Sequence, residues 1–246
     1  MALPKIDSPI YEIELPLSKK KIKFRPFNVK EQRNLLMAMD SNDPSTMEQN
    51  IVQVLNNCTI SEELDIESLP LLDVEFYFLQ LRARSVGEIS ENSYECNNTI
   101  QAGPEELATC HNIIDVSINI LDIQIEYPTN VEDVIKLTPK MSVKLNYPKF
   151  SLMKRIKDTT NIADFAFNMI AESIEYIHDG EQFYYAKESS PSELVDFIES
   201  LNQEQFSKLE TFFNELPRMI KHIEFKCNKC GFEHSMDIEG LESFFV

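Results

Sequence analysis

The segment Cys227-Asn228-Lys229-Cys230-Gly231 lies between two stretches with strand-like alternation, 219–225 and 232–238. Alternation of this kind predicts β-strands, so the segment is expected to form the turn of a β-hairpin. Two thiolates in a Cys-x-x-Cys turn can bind one Zn²⁺ together. The glycine after the second cysteine permits the positive φ that such a turn needs. The pattern is therefore typical of a zinc ribbon or knuckle.

A tetrahedral structural zinc site needs two more ligands, and Cys96 and Cys110 are the candidates. Each lies at the end of a β-patterned segment and faces the polar stretch 97–109, which holds Gly103-Pro104 and is predicted to be a loop. Closure of that loop would bring the two thiols together. We therefore predict a structural zinc with four cysteine ligands, which are Cys96, Cys110, Cys227 and Cys230. His111 and His234 are substitute ligands.

The long gap between Cys110 and Cys227 makes this pairing an inference about tertiary structure, and an alternative stays open. Cys96 and Cys110 could be ordinary thiols, with Cys227 and Cys230 a redox pair or without a role. A thioredoxin-like pair needs a βαβ setting, which the flanking sequence does not predict. Cys58 falls on the apolar stripe of a predicted helix and is expected to be a buried core thiol.

Composition bounds the class of protein. The 246 residues leave room for one large domain or two small ones, and 43% of them are hydrophobic. The formal net charge is −18, which argues against nucleic acid or an anionic membrane as the main partner. The five glycines lie too far apart to build a phosphate-binding loop, so no nucleotide or other small-molecule substrate is expected.

The N-terminal residues contain no apolar run that could serve as the core of a signal peptide. The most apolar stretch, 69–81, is interrupted by Asp73 and Glu75, so we expect no membrane span. These features predict an intracellular chain whose cysteines are free or metal-bound rather than paired in disulfides.

Periodicity predicts alternating helical and β-rich blocks. Asn28 and Ser190 are expected to cap helices, each with a glutamate at the third helical position, and Pro44 is expected at the first position of another helix. Further helices are predicted over 71–84 and 162–177 and from about Gln203 to Pro217. Strands are predicted within 10–26, 89–96, 113–125, 134–137, 141–145, 183–186 and 220–238, followed by a last apolar turn over 241–246.

The predicted fold class is α+β, with β-rich segments that meet at a zinc-ribbon-like cysteine cluster and are flanked by two helical blocks. We predict three regions. Residues 1–147 form a β/helical/β region that carries Cys96 and Cys110, and 148–217 form an acidic helical region. Residues 218–246 form the Cys-x-x-Cys hairpin, which is expected to pack back on the first region.

Enzyme signatures are missing from the sequence, which predicts that the protein is not an enzyme. The chain has neither a His-Glu-x-x-His helix nor a Gly-x-Ser-x-Gly elbow, and its four histidines are scattered. Charge is distributed unevenly, with lysines and one arginine clustered over 19–30 and eight acids against two bases over 181–215. Opposed patches of this kind suit docking between proteins.

Several stretches resemble a known family. They are Leu3-Pro4-Lys5-Ile6-Asp7, Lys23-Phe24-Arg25-Pro26-Phe27 leading into Lys30-Glu31-Gln32, Arg82-Ala83-Arg84-Ser85-Val86-Gly87-Glu88, and the cysteine pairs. Together they resemble the baseplate-hub proteins of T-even-type contractile-tailed bacteriophages. The likeness covers Leu3 to Ile120, returns at Cys227 to Cys230 and is more diffuse after Pro148. His111 departs from the pattern, since a glycine is the usual companion of a knuckle cysteine.

The resemblance implies a non-enzymatic viral tail protein that acts through contacts with other baseplate hub or tail proteins. It implies either a hub component or a chaperone for hub assembly, located in the host cytoplasm during assembly or in the tail baseplate of the virion. The alternative function from the residues alone is a zinc-stabilised adaptor or binding module of another intracellular complex.

Overall fold

The computed structural model describes residues 7–41, 43–61, 64–101, 107–129, 132–152 and 162–240. Within these ranges the chain forms six α-helices and thirteen β-strands. It divides into two compact units: a larger unit of residues 1–74 and 127–217, and a cysteine unit of residues 75–126 and 218–246. This mixture of helices and small sheets agrees with the predicted α+β class. The division into three regions, 1–147, 148–217 and 218–246, stays a prediction.

The larger unit begins with a two-stranded antiparallel hairpin followed by two helices. Their bounds are β1 (Tyr11–Glu14), β2 (Lys21–Phe24), α1 (Val29–Asp40) and α2 (Pro44–Cys58). The predicted helix caps are confirmed. The Asn28 side chain accepts the backbone N–H groups of Lys30 and Glu31, while the Glu31 carboxylate accepts the N–H of Asn28. Asp43 caps α2 directly before Pro44. Both caps satisfy N–H groups that a helix start leaves without a partner.

A four-stranded antiparallel sheet and three helices form the second part of the larger unit. The strands are β8 (Val134–Lys136), β9 (Ser142–Leu145), β10 (Ile174–His178) and β11 (Phe183–Tyr185), in the order β11-β10-β9-β8. The helices are α4 (Ile162–Ser173), α5 (Pro191–Glu199) and α6 (Gln203–Asn214). Side chains from both layers share one apolar core: Leu137, Val143, Leu145, Ile170, Ile174, Ile177, Leu194, Ile198, Leu209 and Phe212.

The prediction of one helix over 162–177 is wrong at its C-terminal end. The helix stops at Ser173, and Ile174–His178 forms β10 between β9 and β11. The apolar residues of this stretch satisfy a helical pattern and a strand pattern equally well. Long-range pairing of Ile177 with Val143 and Tyr184 decides in favour of the strand, which local sequence does not reveal.

The cysteine unit contains the C-terminal part of α3 (Leu71–Ser85) and three small antiparallel sheets. One pairs β3 (Ile89–Glu95) with β6 (Ile113–Asn119), and a second pairs β4 (Thr99–Gln101) with β5 (Leu107–Thr109). The third places β12 (Arg218–Lys226) between β7 (Gln124–Glu126) and β13 (Glu233–Glu239).

The stretch 97–109 is not simply the predicted loop, because 99–101 and 107–109 pair as strands. These strands are three residues long, too short for their alternation to be recognised in the sequence. Gly103-Pro104 and the apolar turn predicted at 241–246 lie outside the described residues. None of the helices described has the length and apolar character needed to cross a membrane.

Candidate metal centre

Four cysteine sulfurs meet at one point in the cysteine unit. Cys96 follows β3, Cys110 follows β5, and Cys227 and Cys230 lie in the turn between β12 and β13. One ligand atom from each residue lies within 4.8 Å of all the others. The Cys96 and Cys230 sulfurs are 3.6 Å apart, and those of Cys110 and Cys227 are 3.9 Å apart. The structure thus brings together segments more than a hundred residues apart in the chain.

Backbone hydrogen bonds hold each pair of cysteines in place. The N–H of Cys96 donates to the carbonyl of Asn112 at 2.8 Å, and that of Cys110 donates to the carbonyl of Asn98 at 2.9 Å. In the hairpin turn, the N–H of Gly231 donates to the carbonyl of Cys227 at 2.9 Å. Gly231 has a φ of +76°, the left-handed conformation that the sequence predicted for it. The turn geometry therefore depends on this glycine.

His111 occupies a left-handed position as well, with a φ of +51°. A glycine would adopt this conformation without strain, whereas a histidine pays a small conformational penalty. His111 thus stands where a zinc knuckle has a glycine, and its backbone adopts the left-handed conformation that the glycine would adopt. Its side chain pairs with Glu95 and is exposed.

Each cysteine sulfur accepts a hydrogen bond from the backbone N–H two residues further along the chain. The donors are Asn98 for Cys96, Asn112 for Cys110, Lys229 for Cys227 and Phe232 for Cys230. The Cys230 N–H also donates to the Cys227 sulfur. Donors aimed at sulfur stabilise the thiolate form, which is the form that binds a metal. The same local geometry at all four cysteines indicates a common purpose.

Two asparagine side chains add hydrogen bonds across the cluster. The Asn98 amide donates to the Cys230 sulfur at 3.6 Å, and the Asn112 amide donates to the Cys227 sulfur at 3.5 Å. Sequence reasoning missed both residues. The available signal was a repeated Cys-x-Asn pattern, at Cys96-Asn97-Asn98 and at Cys110-His111-Asn112.

The four thiols are not electrostatically equivalent. Backbone N–H donors, that of Cys230 above all, lower the pKa of Cys227 to about 6, and the Phe232 N–H lowers the pKa of Cys230. Burial raises the pKa of Cys96 to about 12 and also raises the pKa of Cys110. The two hairpin cysteines are therefore the ones whose surroundings favour the thiolate most, and a bound cation would favour the same form at Cys96 and Cys110.

The two substitute ligands differ in position. The His234 ring nitrogen Nε2 lies 3.2 Å from the Cys96 sulfur, within hydrogen-bond reach, and the ring lies between Phe225 and Phe232. His111 turns to Glu95 instead. His234 is thus placed beside the cluster as a hydrogen-bond partner of one thiol, and His111 is outside it.

The donor set fits one soft, tetrahedral metal ion. Four thiolates at a zinc–sulfur distance of about 2.3 Å lie about 3.8 Å from one another. The two sulfur–sulfur distances of 3.6 and 3.9 Å agree with this spacing. Cys96, Cys110 and Cys227 are also almost completely buried, as the ligands of a closed structural site are. The cluster can therefore bind a metal without leaving an open position for catalysis.

A sequence profile of the T4 bacteriophage base plate protein family matches residues 8–246. The chain belongs to this family. It is also 27% identical to the baseplate hub assembly protein gp26 of Enterobacteria phage T4, over 236 residues that cover 96% of this chain and 97% of that protein. No solved structure matches the chain. The resemblance noted in the sequence is confirmed, and with it a role in the baseplate hub or in its assembly.

Two motifs that carried the base plate resemblance have structural roles. Arg25 forms a two-pronged ion pair with Glu31, with nitrogen–oxygen distances of 2.8 and 3.0 Å. The Arg25 guanidinium also donates to the backbone carbonyls of Pro26 and Asn57. Arg84 pairs with Glu88 at 3.0 Å. These residues fix the chain entering α1 and leaving α3, rather than forming a reactive site.

Cys58 is the one cysteine that belongs to the larger unit, where it is buried in the core. Its sulfur is 3.9 Å from a Glu31 oxygen, and burial with the nearby Glu31 charge raises its pKa to about 12. The expectation of a buried core thiol at this position of the base plate chain is confirmed.

Proposed function

We propose that this protein acts without catalysis in the assembly of a phage baseplate hub, by binding other hub or tail proteins. The observation that carries the proposal is the likeness to the T4 hub assembly protein, which extends over 96% of this chain. A likeness of that extent indicates a shared architecture and not one shared module. The proposed place of action is the host cytoplasm during assembly, where other hub proteins are present to be bound.

The polar cluster on the β12–β13 hairpin supports the non-catalytic part of the proposal. His222 lies 2.8 Å from Asp237 and 3.3 Å from Ser235, in the order of a catalytic triad. Hydrogen bonds to Asp237 and Glu224 raise the pKa of His222, as carboxylates do for the imidazolium of an ion pair. These side chains are also largely exposed, as in a surface ion pair.

We propose further that Cys96, Cys110, Cys227 and Cys230 hold a structural Zn²⁺. The support is the burial of the cluster, the sulfur spacing and the N–H group aimed at every sulfur. When bound, the ion would cross-link the segments around 96–110 and 227–230. Such a link stabilises the folded chain, because the site does not exist in the unfolded state.

We expect a phage that lacks this protein to produce tails without a complete baseplate hub. Supplying the wild-type chain from a plasmid should restore both hubs and infectivity. Electron microscopy of the particles and plaque counts would measure the two effects. Normal hubs in the absence of the protein would contradict the proposed function.

Mass spectrometry of purified virions beside assembly intermediates separates the two forms of the proposal. A hub component would be present in both samples, whereas an assembly chaperone would be present only in the intermediates.

Asn112→Ala is expected to weaken zinc binding by about 10- to 100-fold, because it removes a hydrogen bond that orients the Cys227 sulfur. The chain should still bind the metal, since all four thiols remain. Competition with a chromophoric chelator would measure the affinity. Asn97→Ala is the matched control, because Asn97 is an exposed asparagine beside Cys96 in the other Cys-x-Asn motif. Equal affinities of the two variants would show that the Asn112 amide does not support the site.

A further inference from the structure

The sheet β11-β10-β9-β8 has two different faces. One face contributes Ile135, Val143, Leu145 and Ile177 to the apolar core of the larger unit. The register of the strands places the intervening side chains on the opposite face. We call this opposite face the outer sheet face.

The β10 and β11 half of the outer sheet face is aromatic. Tyr176 contacts the rings of Phe183 and Tyr185, and His178 contacts Phe183. Phe183 is 51% exposed and Tyr185 is 40% exposed. Adjacent exposed aromatic side chains with few rotatable bonds are the usual anchors of protein interfaces.

The other half of the outer sheet face is basic. Lys136 and Lys144 lie on β8 and β9, and Lys144 is paired with Asp133. The Lys187 ammonium lies 5.2 Å from the centre of the Tyr185 ring. The remaining side chains that the register places here are Val134 and Ser142. The paired positions of this face hold no carboxylate, and the nearby acids are Asp133, which pairs with Lys144, and the exposed Glu175 at the bulge of β10.

The aromatic half also borders an edge of the sheet, since no other strand among the described residues pairs with the far side of β11. In the turn before it, the Asp179 N–H donates to the carbonyl of Gln182. Because hydrogen-bonded pairs alternate in an antiparallel ladder, Tyr184 is the residue of β11 that bonds β10. The N–H and C=O groups of Phe183 and the N–H of Tyr185 then point to this edge, whereas the Tyr185 C=O begins the 3-10 turn Ala186–Glu188. An extended segment can pair with such groups as an added strand.

We propose that the outer sheet face and the edge of β11 dock an extended, acidic segment of another baseplate protein. The segment would pair with β11, place an apolar side chain on the Phe183–Tyr185 rings and direct carboxylates to Lys136 and Lys187. This inference rests on the proposed function for the class of partner, and on the face itself for the partner's chemistry.

A protein segment fits this face better than the other occupants. A nucleic acid would bring a row of phosphates to a chain of net charge −18, with only a few lysines to receive them. A second copy of the chain in a twofold contact would place the same lysines near each other, which is unfavourable. An acidic segment needs only one or two carboxylates to pair with the ammonium groups of Lys136 and Lys187.

The test places a photo-crosslinking phenylalanine analogue at position 183 of the full-length chain during phage assembly. We expect a crosslink to a net-negative segment of another baseplate protein, identified by mass spectrometry. The same analogue at position 127 is the control, because Tyr127 is exposed to a similar extent, at 54%, but lies outside the face. Lys136→Glu should lower the crosslink yield at position 183 by about tenfold at low salt, whereas Lys30→Glu should not.

Restoration of infectivity by each substituted chain shows that it folds and functions, and position 185 replaces position 183 if needed. A crosslink to nucleic acid or to a second copy would overturn the inference. So would a yield at 183 and 185 no higher than at 127 in a chain that restores infectivity. Either result leaves the proposed function standing, whereas normal hubs without the protein would remove that function itself.

Discussion

Replacing Cys227 and Cys230 together by serine is expected to abolish metal binding and to unfold the turn between β12 and β13. The change removes two of four clustered sulfurs, and they are the two whose pKa is lowered rather than raised. Structural zinc in small fingers contributes apparent binding free energy on the order of 10 kcal/mol. That value is comparable to the whole free energy of unfolding of a small domain, about 5–15 kcal/mol. Hub assembly should fail as a consequence of misfolding.

Metal content and thermal unfolding measure this effect directly. The wild-type chain should contain about one zinc per molecule and lose stability when a chelator removes it. Cys58→Ser is the matched control, because Cys58 is buried in the larger unit and is not one of the clustered cysteines. This control should keep its zinc while losing some stability. If the double serine variant melts like the wild type and still assembles hubs, the cysteines do not stabilise the fold through a metal.

Glu31→Ala is expected to destabilise the larger unit by about 2–4 kcal/mol. Glu31 pairs with Arg25 through both oxygens and accepts the N–H of Asn28, so its loss leaves a half-buried guanidinium without its carboxylate and the Asn28 N–H without this acceptor. Glu12→Ala is the control, since the Glu12–Lys23 pair is exposed and 3.6 Å long. Its cost should be at most about 1 kcal/mol. Urea unfolding measures the two free energies of unfolding, and similar decreases for both variants would contradict the role of Glu31.

The contribution of Glu31 should depend on pH in a defined direction. Burial alone raises the pKa of Glu31, but the hydrogen bonds and charge of Arg25 outweigh it, so the net pKa is below the ordinary value of 4.5. The unfolded chain binds a proton more readily, so the stabilisation is complete above pH 4.5 and is lost as pH falls through the lowered pKa. The difference between the wild type and Glu31→Gln should therefore shrink in acid. An unchanged difference below that pH would contradict the assigned ion pair.

Local chemistry explains the elements that sequence reasoning predicted well. The caps at Asn28, Asp43 and Ser190 depend on residues within four positions of one another, and the structure has all three. The hairpin around Cys227 and Cys230 is equally local. The errors occur where partners are distant, at Ile174–His178, which is a strand and not a helix, and at the short strands β4 and β5.

The sequence by itself determined the helix caps, the α+β class, the family and the Cys-x-x-Cys turn, because each depends on neighbouring residues or on a pattern spread along the chain. Tertiary structure alone decided that Cys96 and Cys110 reach that turn, and that Asn98 and Asn112 donate to its sulfurs. It also decided which face of the β8–β11 sheet is aromatic and exposed. Contacts between segments more than a hundred residues apart depend on which strands pair and pack together. Local sequence patterns do not specify those partners.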